Sequence, residues 1–216
     1  MIKLVTFTDH NMTVSANRCA ESAMKHGADG YSIWTPNDLS PEFRETMSDV
    51  LKHERGAGFY CWKPYIVHRE MCRLKDGDTL VFESTAIALY LTDRFPQNGI
   101  GPVVGDAKRG AYVSWLSYYA GVMEPAWMSA YMKWEIPRGT ASWVKADEVL
   151  EFVNATLQQG PYILGDKFSA VDILIATTFK MFMGSPLLEK TALLDGYVTR
   201  VHSRPAFARA QARENG

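Results

Sequence analysis

The 216-residue sequence is poor in cysteine and has no pattern typical of a metal site. It contains three cysteines, Cys19, Cys61 and Cys72, an odd number with no Cys-x-x-Cys pair. We therefore expect neither a disulfide framework nor a structural metal, and we expect a reducing cytoplasm as the location. The five histidines show no His-x-x-x-His spacing, which also argues against a metal cofactor.

Long hydrophobic runs and an excess of one charge are also missing. The most apolar stretch, 171–180, is interrupted by Asp172 and Lys180, which predicts a buried helix rather than a membrane span. The apolar start is too short for a signal peptide. The net charge is −1, so no global field attracts nucleic acid or an anionic membrane. With 47% hydrophobic residues, the composition is that of a folded soluble protein.

The first third of the chain alternates between strand and helix patterns. Short runs of β-branched and aromatic residues predict strands, and Ser40 followed by Pro41 predicts a capped helix start. Gly27 is a predicted helix stop. Residues 55–58 form a predicted flexible loop. The predicted strands are 2–8, 31–34 and 79–82, and the predicted helices are 12–26, 41–51 and 63–74.

From residue 83 onward the patterns are helical only. Tyr112, Leu116, Tyr119 and Met123 recur at one face of a helix, as expected for a core-facing stripe. Further helices are predicted at 83–94, 146–157, 171–183, 194–201 and 205–212. We predict an α/β N-terminal domain over residues 1–95, a linker over 96–106 and an all-α domain over 107–216.

Residues from about 76 to 213 resemble the cytosolic glutathione transferases of bacterial type. The run from Phe82 to Pro96 is similar to the Glu/Gln-Ser signature that opens the third helix of that family. The tract from Tyr162 to Asp172 is similar to the turn and capping box before its central helix, and Tyr197 to Pro205 to its closing Arg-Pro segment. The resemblance implies a thioredoxin-like domain followed by an all-α domain, glutathione as co-substrate, and a homodimer.

Glu83 and Ser84 lie where an apolar strand pattern changes to a helix pattern. The first N–H groups of a helix lack intrahelical partners and favour an anion. Ser84 could therefore bind a carboxylate while Glu83 takes an ammonium group. Taken alone, the pair favours a plain helix cap. The resemblance of its surroundings implies instead that the amino-acid head is the γ-glutamyl end of glutathione.

Ser169 and Asp172 form a predicted capping box of the Ser-x-x-Asp kind. In such a box, the side chain of each residue accepts a hydrogen bond from the backbone N–H of the other. We interpret both residues as structural rather than catalytic.

Three further residues follow from the resemblance. Ser15, shortly after the first strand, could donate a hydrogen bond to the thiolate of glutathione, although Ser15 and Thr13 also suit the start of a helix. Trp115 and Tyr118 lie on the helix that walls the electrophile pocket in the family. Tyr118 lies off the apolar stripe and is the better pocket candidate, whereas Trp115 also suits the core.

Residues 1–82 depart from the family, because a Val-Pro pair before a β-hairpin is not recognisable. They resemble instead the N-terminal part of a bacterial nucleotide-sugar glycosyltransferase-like family. Three segments carry this resemblance: Phe7-Thr-Asp9, the string from Arg55 to Tyr65, and Gly77 to Phe82. That family's metal-binding aspartate pair is replaced by Glu83-Ser84. On this hypothesis the chain is chimeric, joined between Lys75 and Phe82, and its first domain is either thioredoxin-like or a truncated nucleotide-sugar-transferase-like unit.

These patterns lead to one main functional expectation and two alternatives. The main one is a glutathione transferase-like protein that adds the thiolate of glutathione to a small electrophile, with weak or lost activity. The first alternative is a non-catalytic protein with the same fold, and the more distant one is a nucleotide-sugar glycosyltransferase-like protein.

Overall fold

The computed structural model describes residues 2–54 and 56–215, and side chains are described for all of these except residues 56, 59 and 213–215. The contacts divide the chain into two compact units. One comprises the residues up to Leu80 together with those from Ala208 onward, and the other runs from Val81 to Phe207. This division falls earlier than the linker at 96–106 that composition suggests. Arg55, the first residue of the predicted flexible loop, lies outside the described residues.

The first unit is built on a parallel pair of strands joined by a helix. Strand β1 (Lys3–Phe7) pairs with β2 (Gly30–Trp34) in the register Lys3 to Gly30 and Phe7 to Trp34. Helix α1 (Thr13–Lys25) connects them, as a parallel pair requires a crossover. It ends at Gly27 (φ 102°), where the Ala28 N–H bonds to the Ala23 carbonyl at 2.9 Å. The predicted glycine stop is therefore present.

Short helices follow β2 in the first unit. They are α2 (Pro41–Thr46), α3 (Ser48–Leu51), the single interrupted turn α4 (Gly56–Phe59) and α5 (Trp62–Met71). The Ser40 hydroxyl accepts a hydrogen bond from the Phe43 N–H at 3.2 Å, as the predicted cap requires. The prediction of one helix over 41–51 was wrong, because Met47 has φ −101° and ψ 14° and divides it.

No strand is present at 79–82 among the residues that the structure describes, so the prediction of a third strand there was wrong. The apolar run Thr79 to Phe82 suits a strand by composition, but a strand also needs a neighbour for its backbone groups. The sheet contains β1 and β2 only.

Glu70 of α5 holds the core of the first unit together. Glu70 is 5% exposed, and its carboxylate accepts hydrogen bonds from Trp34 Nε1 at 2.9 Å and from Arg73 at 2.8 Å. Lys3 of β1 lies 3.7 Å away. Burying a carboxylate is costly unless it is paired and hydrogen-bonded, and these partners satisfy that condition while joining α5 to both strands.

The second unit is helical throughout its described residues. Its helices are α6 (Ser84–Arg94), α7 (Arg109–Tyr118), α8 (Glu124–Tyr131), α9 (Ala146–Leu157), α10 (Ala170–Phe182), α11 (Ala192–His202) and the start of α12 (Pro205–Asn215). The most buried side chains come from α7 to α11 and include Tyr112, Met123, Trp127, Val153, Ile175, Phe179 and Tyr197. The predicted core stripe on residues 112–123 is therefore confirmed at its buried members.

A π-helical turn, Tyr119–Met123, joins α7 to α8. The Glu124 N–H bonds to the Tyr119 carbonyl five residues back. Pro125 follows, and proline has no N–H and clashes with the carbonyl four residues before it. The wider π turn accommodates this proline, so that the helix continues from α7 into α8.

Candidate functional site

The start of α6 combines a free helix end with a strained backbone. Ser84 is the first residue of the helix, and its preceding residue, Glu83, has φ 70° and ψ 131°. This conformation lies outside the left-handed helical region and is unfavourable for a residue with a Cβ. The Ile87 N–H bonds to the Glu83 carbonyl at 2.9 Å, so the N–H groups of residues 84–86 precede the first intrahelical bond.

Both side chains at this helix start are exposed. The three N–H groups and the positive end of the helix dipole favour an anion such as a carboxylate. The Glu83 carboxylate beside them suits a cation. An anion and a cation site on adjacent residues can bind the two charges of an α-amino acid.

In the first unit, the loop between β1 and α1 is closed by Asp9. Its carboxylate accepts hydrogen bonds from the N–H groups of Asn11 at 2.9 Å and Met12 at 3.1 Å. The Thr13 hydroxyl donates to the Asp9 carbonyl at 3.0 Å, and Met12 rather than Thr13 occupies the N-cap position. Ser15 is half-buried in the first turn of α1, and among the described residues its hydroxyl makes no hydrogen bond like that of Thr13. The Ser15 hydroxyl is therefore more available than the Thr13 hydroxyl as a hydrogen-bond donor to a ligand.

Trp115 and Tyr118 are brought together with a third ring, Phe152 of α9. Trp115 stacks on Phe152 with ring centroids 5.0 Å apart, and Tyr118 meets each of the other two edge-on at 5.3 Å. Burial raises the pKa of the Tyr118 phenol, and the negative charge of Glu148 raises it further. The phenol therefore remains a neutral hydrogen-bond donor on a half-buried aromatic surface.

Asp172 is fully buried at the start of α10 and accepts four hydrogen bonds. They come from the N–H groups of Ser169 at 2.7 Å and Ile163 at 2.9 Å, and from the hydroxyls of Tyr197 at 3.0 Å and Ser169 at 3.2 Å. Burial nevertheless raises the pKa of this carboxyl, and the four bonds oppose that rise. The carboxylate joins α10 to α11 and to the turn before α10.

Sequence patterns did not single out Phe152 or Glu148. Phe152 lies off the apolar stripe of α9, which is formed by Val149, Val153 and Leu157. An aromatic residue outside such a stripe is a usable signal, because it is left to contact something other than the core. Glu148 was not distinguishable from other helix-start acids.

No helix of the described residues is long and apolar enough to cross a membrane. Among the same residues, no group of three or more His, Cys, Asp or Glu side chains could hold a metal ion.

Comparisons with known proteins bear on both units. Residues 137–205 match the family model of the glutathione S-transferase C-terminal domain. Solved structures match over the whole chain: a glutathione S-transferase of Actinobacillus pleuropneumoniae has a TM-score of 0.57 at 19% identity, covering 100% of this chain and 94% of its own. A sphingomonad glutathione S-transferase, solved with glutathione, has a TM-score of 0.56 at 19% identity over 100% of both chains. The fold is that of the glutathione transferases.

This transferase fold also has a sequence relative. Glutathione S-transferase GstA of Escherichia coli O157:H7 is 26% identical over 185 residues, which are 83% of this chain and 90% of that protein. Because the match covers 83% of the chain, it must include a large part of residues 1–82. The α/β unit followed by an all-helical unit, as predicted, is therefore confirmed.

The glycosyltransferase-like interpretation of residues 1–82 is not supported. Transferase structures align with the whole chain, including its first third. The string from Arg55 to Tyr65, which suggested the other family, begins outside the described residues and continues into the turn at Ala57 (φ 47°) and Tyr60 (φ 62°) and then α5.

Proposed function

We propose that the protein binds glutathione through Glu83 and Ser84 and adds its thiolate to a small electrophile. The observation that carries this proposal is the strained Glu83 immediately before the free helix start. Strain of this kind persists where the surrounding structure imposes it, commonly at ligand sites. The γ-glutamyl carboxylate would accept from the N–H and hydroxyl of Ser84, and its ammonium group would contact Glu83.

The names of the relatives support glutathione as the co-substrate. They include a transferase solved in complex with glutathione and a relative named as a glutathione S-transferase. In this proposal the Ser15 hydroxyl donates to the thiolate sulfur, which lowers its pKa and keeps it nucleophilic. Trp115 and Tyr118 contact the electrophile, with Phe152 as their support.

We also propose that the protein acts as a homodimer in the cytoplasm. Ile87, Tyr90 and Leu91 lie at i, i+3 and i+4 on α6 and are 41%, 38% and 36% exposed. An apolar strip of this kind on a folded chain commonly marks an interface. A second copy of the chain is the occupant that the transferase fold favours.

A binding protein without transferase activity is the second candidate. The described residues of the first unit contain only β1 and β2, so a further strand edge is not available there to hold the cysteinyl part of glutathione. Loss of one preorganised donor or contact costs about 3–4 kcal/mol of transition-state stabilisation. We therefore expect conjugation to be weak even where binding is intact.

Calorimetric titration with glutathione tests the binding site. Ser84→Ala should weaken binding about 10-fold or more, because a hydrogen bond to a charged group is worth about 1.5–3 kcal/mol. Ser117→Ala, which removes another exposed hydroxyl from a helix of the same unit, is the matched control and should bind normally. Equal affinity in both variants would show that Ser84 is only a helix residue.

A conjugation assay with a generic aromatic electrophile separates the two candidates. Slow turnover that Ser15→Ala reduces further supports a transferase with Ser15 as the donor. Normal glutathione binding with no turnover above the uncatalysed rate supports the non-catalytic candidate.

A further inference from the structure

We propose that a cavity at the end of the second unit binds a planar aromatic cation. The cavity has a volume of about 970 Å³ and lies between the end of α8, the segment 133–145 and the start of α9. Ligand pockets of proteins commonly have about 300–1,000 Å³. The glutathione and electrophile residues proposed above do not line it, and its connection to them is Glu148, which lines the cavity and also acts on the Tyr118 phenol.

The cavity is bordered by two indole rings. Trp143 is half-buried and packs against the core, whereas Trp134 is 57% exposed. The exposed part of the Trp134 ring is apolar surface that a ligand could cover, and covering apolar surface is favourable. Aromatic side chains at a cavity favour a flat aromatic ligand, which can stack on a ring or meet it edge-on.

The backbone fixes Trp134 at the cavity with a strained turn. The Trp134 N–H donates to the Ser129 carbonyl at 2.9 Å and the Lys133 N–H to the Ala130 carbonyl at 3.2 Å. This is the Schellman arrangement, which places its left-handed residue just past the helix and normally uses glycine there. Here that residue is Lys133, with φ 55°. The two hydrogen bonds fix the backbone of Trp134 against the last turn of α8.

The far wall of the cavity contains a tight turn and an ion pair. Gly139, with φ 86°, allows the turn in which the Thr140 N–H bonds to the Pro137 carbonyl at 3.2 Å. The adjacent Arg138 contacts Glu148 of α9 at 3.0 Å. This ion pair links the segment 133–145 to α9, and because the Arg138 side chain is exposed its contribution to stability is small.

The net charge of the cavity lining favours a cationic ligand. Three carboxylates line the cavity, those of Glu135, Asp147 and Glu148, against two cations, Arg138 and Lys145. Since Glu148 and Arg138 neutralise each other, the lining keeps one net negative charge. Indole faces and surplus carboxylate together favour a delocalised organic cation over a neutral ring or an anion.

Three probes of one shape test the charge. N-methylacridinium, neutral acridine and acridine-9-carboxylate are titrated in mildly alkaline buffer by calorimetry, with tryptophan fluorescence as the second readout. We expect the cation to bind most tightly and to quench fluorescence, and the carboxylate to bind least. Absence of binding by N-methylacridinium, or equal binding of the carboxylate, would overturn the proposal.

Variants test the location. Trp134→Ala should weaken N-methylacridinium binding about 3- to 10-fold, from the usual strength of a cation–aromatic contact. Tyr31→Ala, which removes an aromatic ring that is 53% exposed in the first unit, is the control and should have no effect. Unchanged binding in Trp134→Ala would place the cation elsewhere.

Glu135→Gln is the second variant and preserves the shape of the lining. It should lower the affinity for N-methylacridinium and leave that for neutral acridine unchanged. A change in neither affinity would remove the electrostatic part of the argument. Glutathione titration of the same variants, which should be normal, distinguishes failure here from failure of the proposed function.

Discussion

Four non-glycine residues have positive φ within the described part of the chain: Ala57, Tyr60, Glu83 and Lys133. Ala57 and Tyr60 lie in the tight turn before α5, where a Cβ at Gly58 would come within 2.8 Å of the Leu51 Cα. Glu83 and Lys133 each stand at a helix end beside a proposed binding site. Backbone strain in the second unit is therefore found at the positions where ligand chemistry is proposed.

Glu83→Gly should separate strain from function. Glycine adopts positive φ without the Cβ penalty, so we expect the free energy of unfolding to rise by about 1 kcal/mol. Glutathione binding should weaken, because the carboxylate that contacts the ammonium group is lost. Urea denaturation and calorimetric titration measure the two effects, and a variant that is more stable and also binds normally would contradict the role of Glu83.

Lys133→Gly tests the backbone strain at the end of α8 in the same way. It should also stabilise the protein by about 1 kcal/mol, since glycine is the usual residue at this point of a Schellman turn. Glutathione binding should be unaffected. A loss of stability in denaturant would show that the Lys133 side chain makes a contact that outweighs its strained backbone.

At the scale of an element, the start of α10 depends on a buried carboxylate. Ser169→Ala and Asp172→Ala should each lower the free energy of unfolding by about 1–3 kcal/mol, through lost bonds and unpaired buried donors. Glutathione affinity should remain normal. Denaturation midpoints that stay at the wild-type position would argue against the structural role of this cap.

The pH dependence of the same carboxyl has a definite sign. Because burial raises the pKa of Asp172 in the folded protein, the folded state retains a proton that the unfolded chain releases near pH 4, the ordinary range of aspartate. The stability due to this group therefore falls as the pH rises above about 4, until the folded pKa is passed. The advantage of wild type over Asp172→Asn should be largest in acid and should shrink on the way to neutrality. A difference that grows with pH would show that the hydrogen bonds outweigh burial.

Elements with strong local signals were predictable from sequence. Helix α9 has the predicted bounds because its apolar spacing and the Gly160-Pro161 stop agree. The strand at 79–82 failed because pairing depends on a distant partner that local composition does not reveal. The π turn before Pro125 was equally invisible, since the core stripe continues through it.

At the scale of the molecule, the prediction of a dimer is directly measurable. Light scattering at micromolar concentration should give twice the chain mass of 24.3 kDa. Tyr90→Glu should shift the protein toward monomer by placing a charge in the apolar strip of α6. Met181→Glu, at a side chain that is 73% exposed on α10, is the control. A monomeric wild-type protein would contradict this interface. So would equal molar masses for Tyr90→Glu and Met181→Glu.

The candidate sites show why whole-molecule features exceed sequence reasoning. Glu83 and Ser84 could be proposed from the sequence because they are adjacent and lie where a strand pattern changes to a helix pattern. The ring cluster of Trp115, Tyr118 and Phe152 joins residues of two helices, and the cavity beside Trp134 depends on turn geometry. The sequence indicates single members of the ring cluster, such as Tyr118, but not that the three rings meet, and it gives no local signal for the cavity.

The π turn at 119–123 bears on how this chain could change its length. A π turn holds one more residue than an α turn, so removal of one residue there leaves the orientation of both flanking helices unaltered. In a Pro125→Ala background, deletion of the exposed Gly121 would convert the turn into plain α-helix and keep Tyr112 and Trp127 facing the same core. The same deletion inside α9 would rotate every later side chain by about 100°. Within the continuous helical stretch 109–131, this turn is therefore a place where one residue could be gained or lost without disturbing the buried face.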